Sequence, residues 1–216
     1  VDLWRRFGSA PDQERYEQEA QSFARLMIGD TAQNLVRVFF LQDRMKALGS
    51  RRKADVAHVH VVGAGVMGGD IAADVEGEGV ARADLVIEAI FEDAEAKKTL
   101  YRDLDSRMQP GALLATNTSS IRLEILRDSL REPDRLIGLH FFNPVAKMPL
   151  VEVIHTSTTD QEAVDRGLAF ARQIDRLPLP CLSAPGFLVN RVLGPYMMEA
   201  FLLAEEGVPL AVIDAT

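Results

Sequence analysis

At 216 residues, with 47% hydrophobic and 26% charged content, the chain can bury a substantial core and reads as one or two ordinary globular domains. A net charge of −8 argues against nucleic acid and anionic membranes as partners, and the single cysteine, Cys181, excludes an internal disulfide and a cysteine-based zinc site, so no metal is expected. The start Val1-Asp2-Leu3-Trp4 lacks the apolar core of a signal peptide and no run approaches the roughly 20 apolar residues of a membrane span, so a soluble, cytoplasmic protein is expected.

Apolar residues recur near helical spacing from Phe23 to Leu41, behind Pro11 and interrupted at Gly29-Asp30-Thr31. Two helices over 11–47 are predicted, with Asp30 or Thr31 able to cap the second and the basic run Arg51-Arg52-Lys53 as a solvated linker. Nothing in this region points to catalysis.

The pattern then changes. His58-Val59-His60-Val61-Val62 is a short β-branched run leading into Gly63-Ala64-Gly65-Val66-Met67-Gly68 and Asp70-Ile71-Ala72-Ala73. Strand, glycine turn and helix start in that order are what a dinucleotide site requires. Gly63 makes the turn, Gly65 lets the backbone approach a pyrophosphate, and Gly68 lets helix and strand pack closely. The stretch 69–82 is too short to complete an ordinary dinucleotide-binding half, because it can supply one short helix and a turn but no second strand. Ala83 to Ile90 is already the next buried strand. Asp84 and Glu88 fall near the spacing of a ribose-binding acid but lie before and within that strand, so neither is assigned the role. A break in the chain between about Ile71 and Gly79 is expected, with further residues of the natural polypeptide belonging there.

Glu92 to Met108 reads as a helix stopped by Pro110-Gly111, and Ala112 to Thr116 as a strand ending in Asn117-Thr118-Ser119-Ser120. Polar groups at a strand's C-terminal end are where open α/β sheets bind ligands. Ser119 either serves such a site or helps to cap a helix over 121–130; with Ser120 as the cap, Ser119 faces the crevice.

Leu136 to Phe142 and Leu150 to His155 read as strands joined by a loop whose prolines, Pro144 and Pro149, forbid a helix. His140 and Glu152 lie symmetrically about Ala146. If the strands turn back on each other, imidazole and carboxylate become a cross-strand pair, a general base held by an acid. A satisfied core histidine beside an edge-strand carboxylate is the alternative. Asp160 caps a helix to about Ile174, Leu177 to Cys181 is extended, and a boundary at Ser183-Ala184-Pro185-Gly186 precedes a long apolar helix from Phe187 to about Glu205. Asn190 in its first turn either caps it or reaches a ligand at the domain junction. Another helix starts at Pro209.

Taken together, Gly63-x-Gly65-x-Met67-Gly68, the run Asp84 to Glu92 with Lys97, Asn117 to Ser120, His140-Phe141-Phe142-Asn143-Pro144 followed by Leu150-Val151-Glu152-Val153, and Pro185 to Arg191 resemble the successive motifs of the L-3-hydroxyacyl-CoA dehydrogenases over about 57–216. The earlier helical region is similar to the end of the hydratase domain and the linker helix of the multifunctional fatty-acid oxidation subunit, although hydratase catalytic residues are absent. The resemblance implies a Rossmann-like α/β sheet, incomplete as numbered, over 54–183, flanked by a helical segment over 1–53 and the start of a C-terminal helical domain over 184–216. It implies that His140 is the catalytic base, Glu152 its partner, and Ser119 and Asn190 ligands of the substrate's oxygens. Gly63, Gly65, Met67, Gly68, Ile90, Phe91, Glu92, Lys97, Ser119 and Asn143 would form the NAD site. An acyl-CoA substrate and a homodimer or a complex with a thiolase subunit are implied as well. The family's second and third strands, with their ribose-binding aspartate, have no counterpart between Asp70 and Glu78, which leaves a different expectation beside the first: a non-catalytic module of the same fold that cannot hold cofactor.

Overall fold

The computed structural model describes residues 9, 11–50, 52–53, 55–63 and 79–215. Gly65, Met67 and Gly68, and the chain break expected between Ile71 and Gly79, lie outside the described residues. The chain divides into two compact units, Val1–Met45 and Lys46–Thr216. In the first, helix α1 (Asp12–Ile28) begins directly after Pro11 and ends at Gly29, whose extended ψ of 150° separates it from α2 (Asp30–Gly49). No residue of α1 is buried.

Among the described residues the second unit is built on a six-stranded sheet whose strands lie side by side in chain order. They are β1 (Val59–Val62), β2 (Leu85–Glu88), β3 (Leu113–Thr116), β4 (Leu136–Phe141), β5 (Leu150–His155) and β6 (Leu177–Leu182). All neighbours are parallel except β4 and β5, which turn back on each other as an antiparallel hairpin across the proline-bounded loop. The segment read only as extended is a full strand at the sheet's edge. The amides of Leu177 and Ser183 point to β5, so the even positions Pro178 and Pro180 direct their missing donors away from the ladder, where a proline is tolerated.

Side-chain alternation gives the sheet two apolar faces. Leu85, Ile87, Leu113, Ala115, Ile137, Leu139, Val151 and Val153 pack with helix α5 (Gln161–Gln173), which Asp160 caps as predicted. Gly167 lets α5 approach, since a Cβ there would come within 2.7 Å of Ile137 Cδ1. The other face packs Val86, Leu114, Leu136 and Ile154 against Tyr101 and Leu104 of α3 (Ala94–Arg107), Leu123 and Leu126 of α4 (Leu123–Arg127), and Phe187. Each large aliphatic side chain removed from water there contributes about 1.5–3 kcal/mol.

Three predicted helices begin or end elsewhere. Asp93 caps α3 by accepting the Ala96 amide, so the helix starts beyond Glu92. The helix expected over 121–130 is only α4. Ser120 does not cap it; its amide donates to Glu92 and Thr118 instead, and the Leu123 amide donates to Ser183 Oγ, from a distant part of the chain. The last long helix, α6 (Val189–Glu205), begins two residues late because Gly186 and Phe187 take left-handed φ of 72° and 47°. Leu188 precedes it without a side-chain cap, so the capping alternative for Asn190 is not realised. A short α7 (Leu210–Ile213) comes last. Among the described residues no helix is long and apolar enough to cross a membrane.

Asp84, which spacing alone could have suggested as a ribose acid, ties the edge strand to the sheet. Its Oδ2 accepts the amides of Ala57 and His58 at 2.8 and 2.9 Å, and Oδ1 accepts Gln109 Nε2. Burial pushes this carboxyl up, but the His58 and Ala57 amides outweigh it and hold it below its ordinary value. A depressed folded value means that the stabilisation is full above the unfolded carboxyl pKa of about 3.9 and is lost as pH falls through the lower folded value. Asp84→Asn is therefore expected to lose about 1 kcal/mol at neutral pH. In urea denaturation the gap between variant and parent should close as the solution is acidified.

Candidate active site

Parity and register place the buried polar groups together. Glu88 and Thr116 are partners across β2 and β3, His140 and Glu152 across β4 and β5, and all four are buried. Alternation turns them to the face of Val86, Leu114, Leu136 and Ile154, near the C-terminal ends of β2, β3 and β4. The predicted symmetry about Ala146 is thus the observed register.

His140 Nδ1 lies 2.7 Å from Glu152 Oε2, and Nε2 lies 3.1 Å from Ser119 Oγ. Glu152 is not on an edge strand; it is fully buried in β5, and its second oxygen, Oε1, accepts the amides of Leu188 and Val189 at 2.9 and 2.8 Å. Burial pushes its carboxyl up, yet the His140 bond and the Val189 and Leu188 amides together bring it below the ordinary range. A carboxylate only accepts, so the proton between the two side chains is carried by Nδ1. That tautomer leaves the Nε2 lone pair to accept the Ser119 hydroxyl. Phe142 and Phe187 meet the ring edge-on, with centroids 4.7 and 5.5 Å away.

Ser119 is held from behind. Glu92 Oε1 accepts the Thr118 hydroxyl and the Ser119 and Ser120 amides, a fold of the loop that directs the Ser119 hydroxyl to His140. Burial raises the Glu92 carboxyl, but these donors and Lys97 prevail and lower it. Asn117 Oδ1 accepts the Phe141 amide, extending the join between β3 and β4 by one side chain.

Lys97 was expected in the cofactor site, and it is fully buried, its ammonium 2.6 Å from Glu88 Oε1, 3.3 Å from the Ile90 carbonyl and 3.7 Å from Glu92. Glu88 Oε2 accepts the hydroxyls of Tyr101 at 2.7 Å and Thr116 at 2.9 Å. Burial and the neighbouring Glu88 push the Tyr101 phenol well above its ordinary value, so it stays a donor. Glu88, Thr116, Thr118 and Tyr101 are site-building residues that sequence reasoning missed. The signal was present: an acid closing an otherwise apolar strand, with a lysine and a tyrosine four apart on the next helix.

The remaining expected residues are more exposed. Gly63 closes β1 with φ 135°, and a Cβ there would lie 2.4 Å from the Ala89 carbonyl oxygen, so only glycine fits this approach of β1 to β2. Ile90 is half-buried, Phe91 and Glu92 are exposed after β2, Asn143 is exposed in the hairpin loop and Asn190 is exposed on α6. Cys181 is partly buried, its thiol pushed up to about 12 by burial and by Glu152.

Residues 74–184 match the family described as 3-hydroxyacyl-CoA dehydrogenase, NAD binding domain. A fatty acid oxidation complex subunit alpha of Vibrio cholerae is 32% identical over 255 residues, covering 92% of this chain and 36% of the relative. That aligned length exceeds the 216 residues here, so the relative carries residues with no counterpart in this chain. A solved (S)-3-hydroxybutyryl-CoA dehydrogenase from Ralstonia eutropha matches with TM-score 0.67 and 27% identity, over 72% of this chain and 74% of that one. A solved 3-hydroxybutyryl-CoA dehydrogenase from Escherichia coli K12 matches with TM-score 0.60 and 34% identity, over 84% and 37%. The chain spans about a third of the length of the subunit alpha relatives.

Glu88→Ala is expected to leave the Lys97 ammonium buried without its main counter-charge and to cost about 3–5 kcal/mol. Urea denaturation should show it, and the loss should be smaller when Lys97→Met accompanies it.

Proposed function

Because this chain belongs to the 3-hydroxyacyl-CoA dehydrogenase family and carries its NAD-binding domain, we propose that it takes part in the NAD-dependent oxidation of L-3-hydroxyacyl-CoA to 3-ketoacyl-CoA in fatty-acid β-oxidation. We place it in a cytoplasmic multifunctional enzyme that also carries enoyl-CoA hydratase activity and assembles as a homodimer or with a thiolase subunit. The helical segment 1–53 is then the hydratase end and linker, 54–183 the NAD-binding domain and 184–216 the start of the C-terminal helical domain.

One observation carries the reading. A buried imidazole, fixed in one tautomer by a buried carboxylate, presents its free nitrogen to a hydroxyl at the exposed end of the sheet. That is the arrangement a general base needs to take a proton from a substrate alcohol. His140 Nε2 removes the hydroxyl proton, Glu152 stabilises the imidazolium, and Ser119 and Asn190 hold the reacting oxygen. The crossing at Gly63, which leaves no room for a side chain, fits a backbone shaped for a dinucleotide. Gly63, Gly65, Met67 and Gly68 would hold its phosphates, and Ile90, Phe91, Glu92, Ser119 and Asn143 its nicotinamide half. Lys97, being buried, would act through Glu92. NAD, when bound, supplies the acceptor for the hydride that leaves the substrate's 3-carbon.

His140→Ala is expected to lower 3-hydroxyacyl-CoA oxidation on the order of 10²–10⁴-fold with little loss of NADH affinity. Near-normal turnover would sink the assignment. Asn190→Ala should reduce kcat/KM with unchanged thermal stability, since Asn190 does not cap α6; lower stability with unchanged kinetics would make it a structural residue.

A further inference from the structure

We propose that the turn from Pro185 to Val189 is part of the catalytic apparatus, with Phe187 as a positioning residue for the His140 and Glu152 pair. This rests on reading His140 as the base. Phe187 is a bulky non-glycine residue held at φ 47°, a conformation uncommon for L side chains, and such residues cluster at functional sites. Here the surroundings are specific. Its ring is 3% exposed, packed beneath the sheet with Ile154 and Leu136, and meets the His140 ring edge-on at 5.5 Å. Its amide donates to the Ala184 carbonyl, which closes the turn.

The left-handed pair Gly186 and Phe187 redirects the chain so that the next two amides, Leu188 and Val189, both point at Glu152 Oε1. Had the helix begun at Phe187, as hydrophobic spacing alone predicts, those amides would follow the helix axis. The turn therefore does two things at once: the ring limits the tilt of the imidazole, and the amides pin the carboxylate oxygen that His140 does not use. With Oε1 held, Oε2 has one orientation toward Nδ1. The upstream end is anchored separately, since the Ser183 amide donates to the His155 carbonyl and Ser183 Oγ bridges the Leu123 amide and Glu124. Phe187 is buried and carries no group that can bond a substrate, and its ring meets His140, so it acts through the pair.

The test uses the full-length protein and Phe187→Ala, Phe187→Leu and Gly186→Val. The last forces a β-branched residue into a left-handed position without deleting anything from the core, so it keeps the proposal open to refutation if Phe187→Ala fails to fold. The first readout is the downfield proton resonance of His140 Nδ1, assigned by its absence in His140→Ala. It should persist in Phe187→Leu and broaden or vanish in Phe187→Ala and Gly186→Val while circular dichroism is unchanged. The second is kinetic. Phe187→Ala should lower kcat about tenfold with KM for NAD little changed, but less than about twofold when introduced into Glu152→Gln, because residues acting through one another are not additive. A resonance unchanged in the folded turn variants, or losses that multiply independently of Glu152, would overturn the proposal. Absence of NAD-dependent oxidation in the wild-type protein would refute the function instead, and the resonance would still decide the role of Phe187.

Discussion

A carboxylate with no access to water sits in the interior of the sheet, and satisfying it ties the hairpin and the turn into α6 to one arrangement. An ionised Glu152 without partners would cost several kcal/mol. The chain meets that demand with three donors from two places: the His140 ring across the hairpin, and the adjacent amides of Leu188 and Val189 where the turn enters α6. Each donor constrains an element. The hairpin must be antiparallel and in this register for His140 to face Glu152, and the chain must leave β6 through a left-handed turn for the amides to reach it.

The same face holds a second buried acid, and the contrast between the two separates support from chemistry. Glu88 is neutralised by Lys97 and filled by the hydroxyls of Tyr101 and Thr116. Glu152 is paired instead with an imidazole whose other nitrogen faces an exposed hydroxyl. The link between them runs through Lys97 and Glu92 to the amide of Ser119. One carboxylate stiffens the floor of the site; the other orients the His140 imidazole.

How much of this was legible depended on whether the signal was local. The hairpin and its central pair were readable because two apolar runs and a proline-bounded loop fix a register, and period-two alternation then fixes the face. The edge strand was read only as extended, since its prolines suggest a break until one sees which way their missing donors point. The helix expected over 121–130 failed for a different reason: its first amide is satisfied by Ser183, some sixty positions away, which no spacing near Ser119 and Ser120 encodes. Hydrophobicity alone puts Phe187 in a helix, while the Pro185-Gly186 pair before it is the local signal for a left-handed turn. Burial distinguishes Lys97 from Glu92, and nothing in the run Glu92 to Lys97 indicates which of the two is sealed from solvent.

The central claim is that Glu152 orients a base which acts on a 3-hydroxyacyl thioester. Its most direct test is the formation of 3-ketoacyl-CoA from L-3-hydroxyacyl-CoA and NAD by the wild-type protein and by Glu152→Gln, at matched, saturating concentrations. Turnover is predicted in the first and a loss of about 10²–10³-fold in the second with folding intact, the scale expected for removing a preorganised electrostatic partner. Equal turnover by the two proteins would contradict it.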